Sequence, residues 1–208
     1  MQEGLGFLDL LDWRRRIHEL YGDVRAATDT QWAWSRWRAV RDELFRSHPC
    51  SPVPAADRAS FAGLDYYEYD PAARVVGAFE PAPPQHLEIP ASAAGPFAID
   101  RVGRVVFELR DRPGSLDAYW MEGYAGGLFL PFLDATSGSE TYGAGRYLFD
   151  TVKGADLGHE HDSLLLDFNF AYAPSCAYDP GWACPLAPPG NRLSFAVRAG
   201  ERLTAADA

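Results

Sequence analysis

The sequence predicts a mainly β (α+β) protein: a curled antiparallel sheet, barrel- or sandwich-like, with two N-terminal helices packed on it. Apolar side chains near the N-terminus recur at helical three- and four-residue steps, whereas from Phe61 onward they alternate in short β-branched runs. Glycine and proline stand between those runs, as expected for turns. Closely spaced strands favour antiparallel pairing, and a large sheet of this kind curls towards a barrel or a sandwich.

The two helices are predicted within residues 5–46. The second covers residues 31–46 and ends before His48-Pro49, because proline cannot continue a helix. Three aromatic side chains mark its apolar face, and we expect them to pack against the rest of the protein instead of binding a ligand: Trp34, Trp37 and Phe45.

Eight strands are predicted in the remainder of the chain. They are the short runs at residues 74–80, 86–89, 105–109, 116–121, 128–133, 146–152, 164–170 and 193–198. Turns carrying glycine or proline are predicted at residues 100–103 and 111–114. We therefore expect a helical arm over residues 1–48 and a β-rich domain over residues 49–208, folded as one structural unit.

Charge and hydropathy limit the expected partners and location. The formal net charge of −10 argues against binding to nucleic acid or to an anionic membrane surface, because like charges repel. No apolar run approaches the roughly 20 residues of a membrane helix. The apolar stretch near the N-terminus is interrupted by Asp9 and Asp12, unlike a signal peptide. A cytoplasmic protein is therefore expected.

Candidate site residues gather between two predicted strands, in a turn rich in glycine, serine and threonine. Two carboxylates, two hydroxyls and a guanidinium lie there within thirteen positions: Asp134, Thr136, Glu140, Tyr142 and Arg146. This combination of groups is typical of a site that binds a small polar or anionic molecule.

A later predicted strand adds Asp167 and Asn169 to the candidates. Strict alternation would place both on one face and the large apolar side chains on the other: Leu164, Leu166, Phe168 and Phe170. A buried carboxylate needs a partner, since an isolated one is very costly. Arg146 and Arg192 are the candidate cations, and we expect Arg146 to face Asp167. Alternatively, the Asp and Asn side chains satisfy the backbone of the loop that follows.

That loop, residues 171–192, is termed the prolyl loop, because five prolines prevent a regular ladder there. It contributes four further candidates: Tyr172, Tyr178, Asn191 and Arg192. Cys176 and Cys184 are expected to lie close together within it as reduced thiols. The alternatives are a nucleophile with a resolving thiol, a disulfide, or two small buried apolar groups.

The sequence gives little support for a metal site or a bound cofactor. His159, Glu160, His161 and Asp162 could chelate a metal together with the two cysteines. This run lies in a polar turn, however, and the spacing between Cys176 and Cys184 is wider than in zinc knuckles, so no metal ligand is assigned. The sequence contains no nucleophile elbow or phosphate-binding loop, and it identifies no cofactor.

Three longer motifs resemble a prokaryotic family known as domain of unknown function 1684. They are the Asp-Phe-Asn-x-Ala-Tyr-x-Pro-x-Cys-Ala-Tyr run from Asp167, the Cys-Pro-Leu-x-Pro-x-x-Asn-Arg-Leu run from Cys184, and the stretch from Phe132 to Tyr147. The resemblance spans roughly residues 37–203. Ala173 departs from it, since an asparagine is expected at that position. The resemblance implies membership and no activity.

Two functional hypotheses follow. In the first, the candidates form a small-molecule pocket in which Glu140 or Asp167 is a general acid or base and Arg146 binds an anionic group, as in proton transfer or hydrolysis. In the second, the protein is a non-catalytic binding or scaffold domain, and the same residues form an internal network. An enzyme requires these side chains to line an open pocket, whereas a network requires them to be buried and bonded to one another.

Overall fold

The computed structural model describes residues 6–93, 95–124 and 126–203. Within these residues two α-helices precede seven strands: α1 Phe7–Ala26, α2 Thr30–Ser47, β1 Arg74–Ile89, β2 Phe97–Leu109, β3 Arg112–Met121, β4 Gly127–Phe132, β5 Arg146–Asp150, β6 His159–Glu160 and β7 Ser163–Asp167. The predicted α+β, mainly β class is confirmed. Residue 5, the predicted start of the first helix, lies outside the described residues. Within the described part of the chain, no helix is long and apolar enough to cross a membrane.

The second helix docks on the β-rich part through its aromatic face. Asp29 caps its first turn by accepting a hydrogen bond from the Trp32 backbone N–H at 2.9 Å. Trp34, Trp37 and Phe45 are all buried, as predicted. The Trp34 indole donates to the Asn169 backbone carbonyl at 3.0 Å, which ties α2 directly to the segment after β7.

All seven strands form one sheet in the order β5-β4-β3-β2-β1-β7-β6, with antiparallel neighbours that curl into a half-barrel. The hairpin between β2 and β3 turns at Arg110 and Asp111, whose φ angles of 52° and 59° suit a tight two-residue hairpin. β1 unites the strands predicted at 74–80 and 86–89, because a register shift between Pro81 and Gln85 absorbs the prolines without ending the pairing.

Four sequence predictions are corrected. The turn predicted at residues 111–114 lies at Arg110 and Asp111, and residues 112–114 belong to β3. Residues 100–103 are not a turn but part of β2, where a register shift accommodates Val102. β7 ends at Asp167, and Phe168–Phe170 form a 3₁₀ turn, so the predicted alternation stops there. Residues 193–198 form no strand; their backbone makes scattered hydrogen bonds, such as Leu193 N–H to the Leu133 carbonyl at 2.8 Å.

Apolar side chains are buried on both faces of the sheet. The larger cluster joins the helices, the inner face of the strands and the C-terminal segment, and it includes Trp37, Leu116, Leu130 and Phe168. The smaller cluster lies on the other face: Ile89, Ile99, Tyr119, Phe129 and Tyr147. Tyr172 of the prolyl loop packs against it, and the loop pairs with the chain after β1 through Ala91 and Pro185. The prolyl loop therefore covers the outer face.

Candidate functional site

Arg146 begins β5 and forms a buried ion pair with Asp134, which follows β4. Arg146 Nη2 lies 2.9 Å from Asp134 Oδ2, and each side chain is 1% exposed. The guanidinium also donates to the carbonyls of Val197, Ala199 and Glu201. Burial lowers the pKa of Arg146, and the Asp134 carboxylate opposes this by favouring the charged form. Arg146 thus fastens the irregular C-terminal segment to the sheet.

The predicted contact between Arg146 and Asp167 is wrong. β5 and β7 are not neighbours in the sheet, and Arg146 directs its donors at Asp134 and the C-terminal carbonyls. The partner of Asp167 is instead Arg74, which pairs with it across the ladder between β1 and β7, with a closest nitrogen–oxygen distance of 3.7 Å.

Asp167 and Asn169 form one hydrogen-bonded unit at the end of β7. Asp167 Oδ1 accepts from the Asn169 backbone N–H at 3.1 Å and from its amide at 2.9 Å. The Asn169 side chain accepts from the Asp70 N–H at 2.9 Å and donates to the Asp70 carbonyl at 2.8 Å. Burial raises the pKa of Asp167, while the hydrogen bonds from Asn169 lower it. This unit joins the 3₁₀ turn to the chain that enters β1.

Glu140 lies in a separate network near the surface. Arg198 donates to both carboxylate oxygens at 2.8 and 2.7 Å, and the Tyr67 hydroxyl donates at 2.9 Å. The hydrogen bond from Arg198 holds the pKa of Glu140 below its ordinary value. A general base at neutral pH works best with a raised pKa, so this environment is unfavourable for that role.

Thr136 bonds to neighbouring side chains, whereas Asn191 bonds to the surrounding backbone. The Thr136 N–H donates to Asp134 Oδ1 at 2.8 Å, and its hydroxyl lies 2.9 Å from that of Thr141. The Asn191 amide donates to the carbonyls of Asp117 and Pro131, and its oxygen accepts from the Asp117 N–H at 2.9 Å. Asn191 therefore joins the prolyl loop to β3 and β4.

The remaining candidates lie at different places in the fold. The half-buried Tyr142 donates to the sulfur of Cys176, and Tyr172 packs on Tyr147 with ring centroids 5.7 Å apart. Tyr178 packs edge-on against Phe45, and its buried hydroxyl has no hydrogen-bond partner among the described residues. Arg192 is exposed. The structure therefore does not bring these side chains together around one pocket.

A second buried ion pair was not predicted. Arg41 Nη2 lies 2.7 Å from Glu201 Oε2, and Arg41 Nε donates to the Tyr66 hydroxyl at 3.0 Å. The guanidinium also lies against the rings of Trp37, Phe45 and Tyr172. Burial raises the pKa of Glu201 to about 7, although Arg41 opposes this. The one signal for this ion pair in the sequence was the position of a charged residue, Arg41, on the apolar face of α2.

An apolar groove opens at one end of the inner face of the half-barrel. Its volume is about 480 Å³, and β1 to β5 each contribute one side chain: Phe79, Val102, Trp120, Leu128 and Phe149. Its rim includes the polar side chains of His159, His161 and Asp162, which are exposed. Trp120 remains 45% exposed. The groove was not predicted from the sequence. The alternation of apolar residues shows which face of a strand points inward, but it does not show which part of the half-barrel interior stays unfilled.

Among the described residues, one group of three has the spacing of metal ligands. The exposed His86 and Glu122 and the half-buried Asp100 have ligand atoms within 4.8 Å of one another. His86 Nδ1 lies 2.7 Å from Glu122 Oε1, and this contact raises the pKa of His86. His159 and Glu160 form β6, His161 and Asp162 form the turn to β7, and these four exposed residues do not form such a group.

The fold and its polar interior define a class of α+β proteins. In this class a curled half-barrel sheet is held together by buried ion pairs and covered by a prolyl loop. The chain belongs to the family described as Protein of unknown function (DUF1684), whose model matches residues 59–202. The predicted membership is confirmed. A solved structure of an uncharacterised protein from Haloarcula marismortui is 33% identical, with a TM-score of 0.59, and the alignment covers 81% of this chain and 91% of that one. None of the curated proteins compared with the chain matches it.

Proposed function

We propose that the protein is a non-catalytic small-molecule-binding module. The apolar groove takes the apolar body of the ligand, and the polar residues at its rim bind a polar group at one end of that molecule. The observation that carries this proposal is the groove itself: a cavity of about 480 Å³ lined by Phe79, Val102, Trp120, Leu128 and Phe149. Pockets of roughly 300–1,000 Å³ with mainly apolar and aromatic walls are the usual form of small-molecule sites.

The exposure of Trp120 supports this assignment. An indole on the inner face of a sheet normally belongs to the core, yet this one is 45% exposed because its end of the half-barrel is not filled. Gly126, with φ of 60°, leaves room for the indole to lie across the β3–β4 turn, where a side chain would collide with it. A ligand that covers this surface gains roughly 25 cal/mol for each Å² of apolar area removed from water.

The polar residues predicted from the sequence have a structural role in this proposal. Arg146 is bonded to Asp134, Asp167 to Asn169, and Glu140 to Arg198. These side chains make their hydrogen bonds to other groups of the chain, and the first two pairs are buried. A buried network of this kind stabilises one arrangement of loops. These contacts support the scaffold hypothesis over acid–base catalysis by Glu140 or Asp167.

The proposal is tested by titrating the purified protein with decanol, decanoate and decylamine, which share an apolar chain and differ in the charge of the polar end. We expect saturable quenching or enhancement of tryptophan fluorescence, together with a rise in melting temperature. A ligand at 100 times its Kd stabilises the folded state by about 2.7 kcal/mol. The order of affinities identifies the charge of the polar group that the rim prefers.

The variant Trp120→Ala should weaken binding at least about tenfold, since it removes much of the aromatic wall. Trp32→Ala is the matched control, because Trp32 is also exposed, at 57%, but lies on α2 away from the groove. Saturable binding that both variants retain equally would move the site elsewhere. Failure of all three probes to bind would remove the groove as a small-molecule site.

A further inference from the structure

We propose that Cys176 and Cys184 form a redox-active dithiol, in which Cys176 reacts with a small hydroperoxide and Cys184 converts the product to an intramolecular disulfide. This site lies in the prolyl loop and is independent of the groove. Both cysteines are free, and their thiols are in hydrogen-bonding contact, which confirms the expectation that they lie close together.

Cys176 accepts hydrogen bonds from two neighbours. The Tyr142 hydroxyl donates to Cys176 Sγ at 3.6 Å, and the thiol of Cys184 also bonds to this sulfur. A thiolate is the reactive form of cysteine, and donors of this kind stabilise it. They lower the pKa of Cys176 to about 6, with the Cys184 hydrogen bond as the largest contribution and burial opposing it.

Cys184 has the opposite environment. Its hydrogen bond to Cys176 and its burial both raise its pKa, so Cys176 is the thiol of the pair that ionises first. The two sulfurs therefore have different roles, with Cys176 as the attacking group and Cys184 as the resolving thiol.

The backbone holds the two sulfurs in position. Ser92 donates its N–H to the Cys184 carbonyl at 3.0 Å, and the Cys184 N–H donates to Ser92 Oγ at 2.9 Å. Cys176 belongs to the 3₁₀ turn Ser175–Ala177, which is closed by the Ala177 N–H to the Pro174 carbonyl at 2.9 Å. Both cysteines are therefore held in place by hydrogen bonds of their own backbone segments.

The chemistry balances as a two-electron oxidation of the protein. The Cys176 thiolate attacks the terminal oxygen of the hydroperoxide; an S–O bond forms, the O–O bond breaks, and the alkoxide leaves and takes a proton from solvent. Cys184 sulfur then attacks the Cys176 sulfenic acid; the S–S bond forms, the S–O bond breaks, and hydroxide leaves with the Cys184 proton as water. An external dithiol reduces the disulfide and restores both thiols.

The surroundings restrict the size of the oxidant. Cys176 is 7% exposed and Cys184 only 1%. A small hydroperoxide can reach the first sulfur, whereas a large disulfide substrate cannot approach the second. Cys50 provides an internal control, because it is buried apart from this pair and burial raises its pKa.

The test uses the whole chain treated with hydrogen peroxide at neutral pH and analysed by thiol titration and intact mass. The chain has three cysteines, and we expect two to be lost together, with a mass decrease of two hydrogens and recovery on adding dithiothreitol. Cys184→Ser should stop at a sulfenic acid that dimedone traps on Cys176. Cys50→Ser should behave as the wild type. Addition of oxygen without disulfide formation in the wild type, or oxidation of Cys50 as fast as Cys176, would overturn the proposal.

A second measurement does not depend on cysteine substitutions. The rate of Cys176 alkylation by iodoacetamide is followed by peptide mass spectrometry across pH, with Tyr142, Tyr147, Cys184 and Lys153 as the titratable groups around the pair. The wild-type midpoint should lie near pH 6. Tyr142→Phe, which keeps the ring, should slow alkylation at that pH by roughly two- to tenfold, the effect of one lost hydrogen bond. An unchanged rate would remove Tyr142 from the site, and a midpoint above pH 8 would overturn the assignment of Cys176 as the reactive thiol.

Discussion

Arg146 on β5 and Asp134 after β4 form an ion pair that is almost fully removed from water, with Nη2 and Oδ2 2.9 Å apart. Charges are costly to bury, and the cost is offset here by three backbone carbonyls that accept from Arg146 and by the Val197 N–H that donates to Asp134. The C-terminal segment, as far as the structure describes it, forms no β-ladder with the sheet, and the hydrogen bonds of this ion pair hold it in place instead. The pair therefore decides where that segment lies.

Replacing Arg146 with methionine should lower the free energy of unfolding by about 3–5 kcal/mol, because Asp134 is left buried without its cation. Urea denaturation measures the change. The control is Arg198→Met, which breaks the partly exposed pair with Glu140 and should cost far less, because solvent screens that pair. Equal losses from both variants would contradict the structural role assigned to the buried pair.

Asn169→Ala should lower the free energy of unfolding by about 1–3 kcal/mol, since the Asp70 backbone N–H and carbonyl both lose their partner. The exposed amide of Gln85 on β1 provides a control, and Gln85→Ala should stay within about 0.5 kcal/mol of the wild type. Hydrogen exchange at Asp70 should accelerate in the Asn169 variant. Unchanged protection there would show that another group satisfies this backbone.

Trp37→Ala should destabilise the protein by about 3–5 kcal/mol, because its fully buried ring packs against Tyr66 and Phe170. Trp32→Ala on the same helix should change stability by about 0.5 kcal/mol or less, since that ring is exposed. Thermal and urea unfolding of the two variants compare them directly. Similar stabilities would mean that α2 does not dock through its predicted aromatic face.

Glu201 should make stability depend on pH. Burial raises its pKa from the ordinary 4.5 to about 7 in the folded protein. Between these values the folded state retains a proton that the unfolded chain has released, so the free energy of unfolding contributed by this group falls as pH rises through the window. Glu201→Gln has no proton to release at this position and should flatten that slope, measured by urea denaturation at several pH values. An identical slope in wild type and variant would show that Glu201 keeps an ordinary pKa.

Several features follow from local sequence and were predicted correctly. The helical spacing and the His48-Pro49 stop located α2, and the short alternating runs located most of the strands, because these signals depend on neighbouring residues alone. The motifs around Glu140 and Asp167 were also sufficient to identify the family. The contact between Cys176 and Cys184 was anticipated from their common loop.

The partners of the charged residues were decided by tertiary structure. Sequence alternation placed Asp167 opposite Arg146, but the strand order separates β5 from β7, and a 3₁₀ turn ends β7 at Asp167 itself. The partners of Arg146 come from more than 50 residues further along the chain as well as from Asp134. Such contacts depend on how the sheet curls, and no local pattern encodes them.

The sequence by itself therefore determined the α+β class, the helical and strand segments, and the polar residues that the fold would have to accommodate. Only the tertiary structure decided that those residues bond to one another in separate networks and that the open space lies elsewhere, beside Trp120. The physical reason is that alternation specifies which side of a strand is apolar, whereas the strand order and curvature specify which charges meet and which end of the half-barrel remains unfilled.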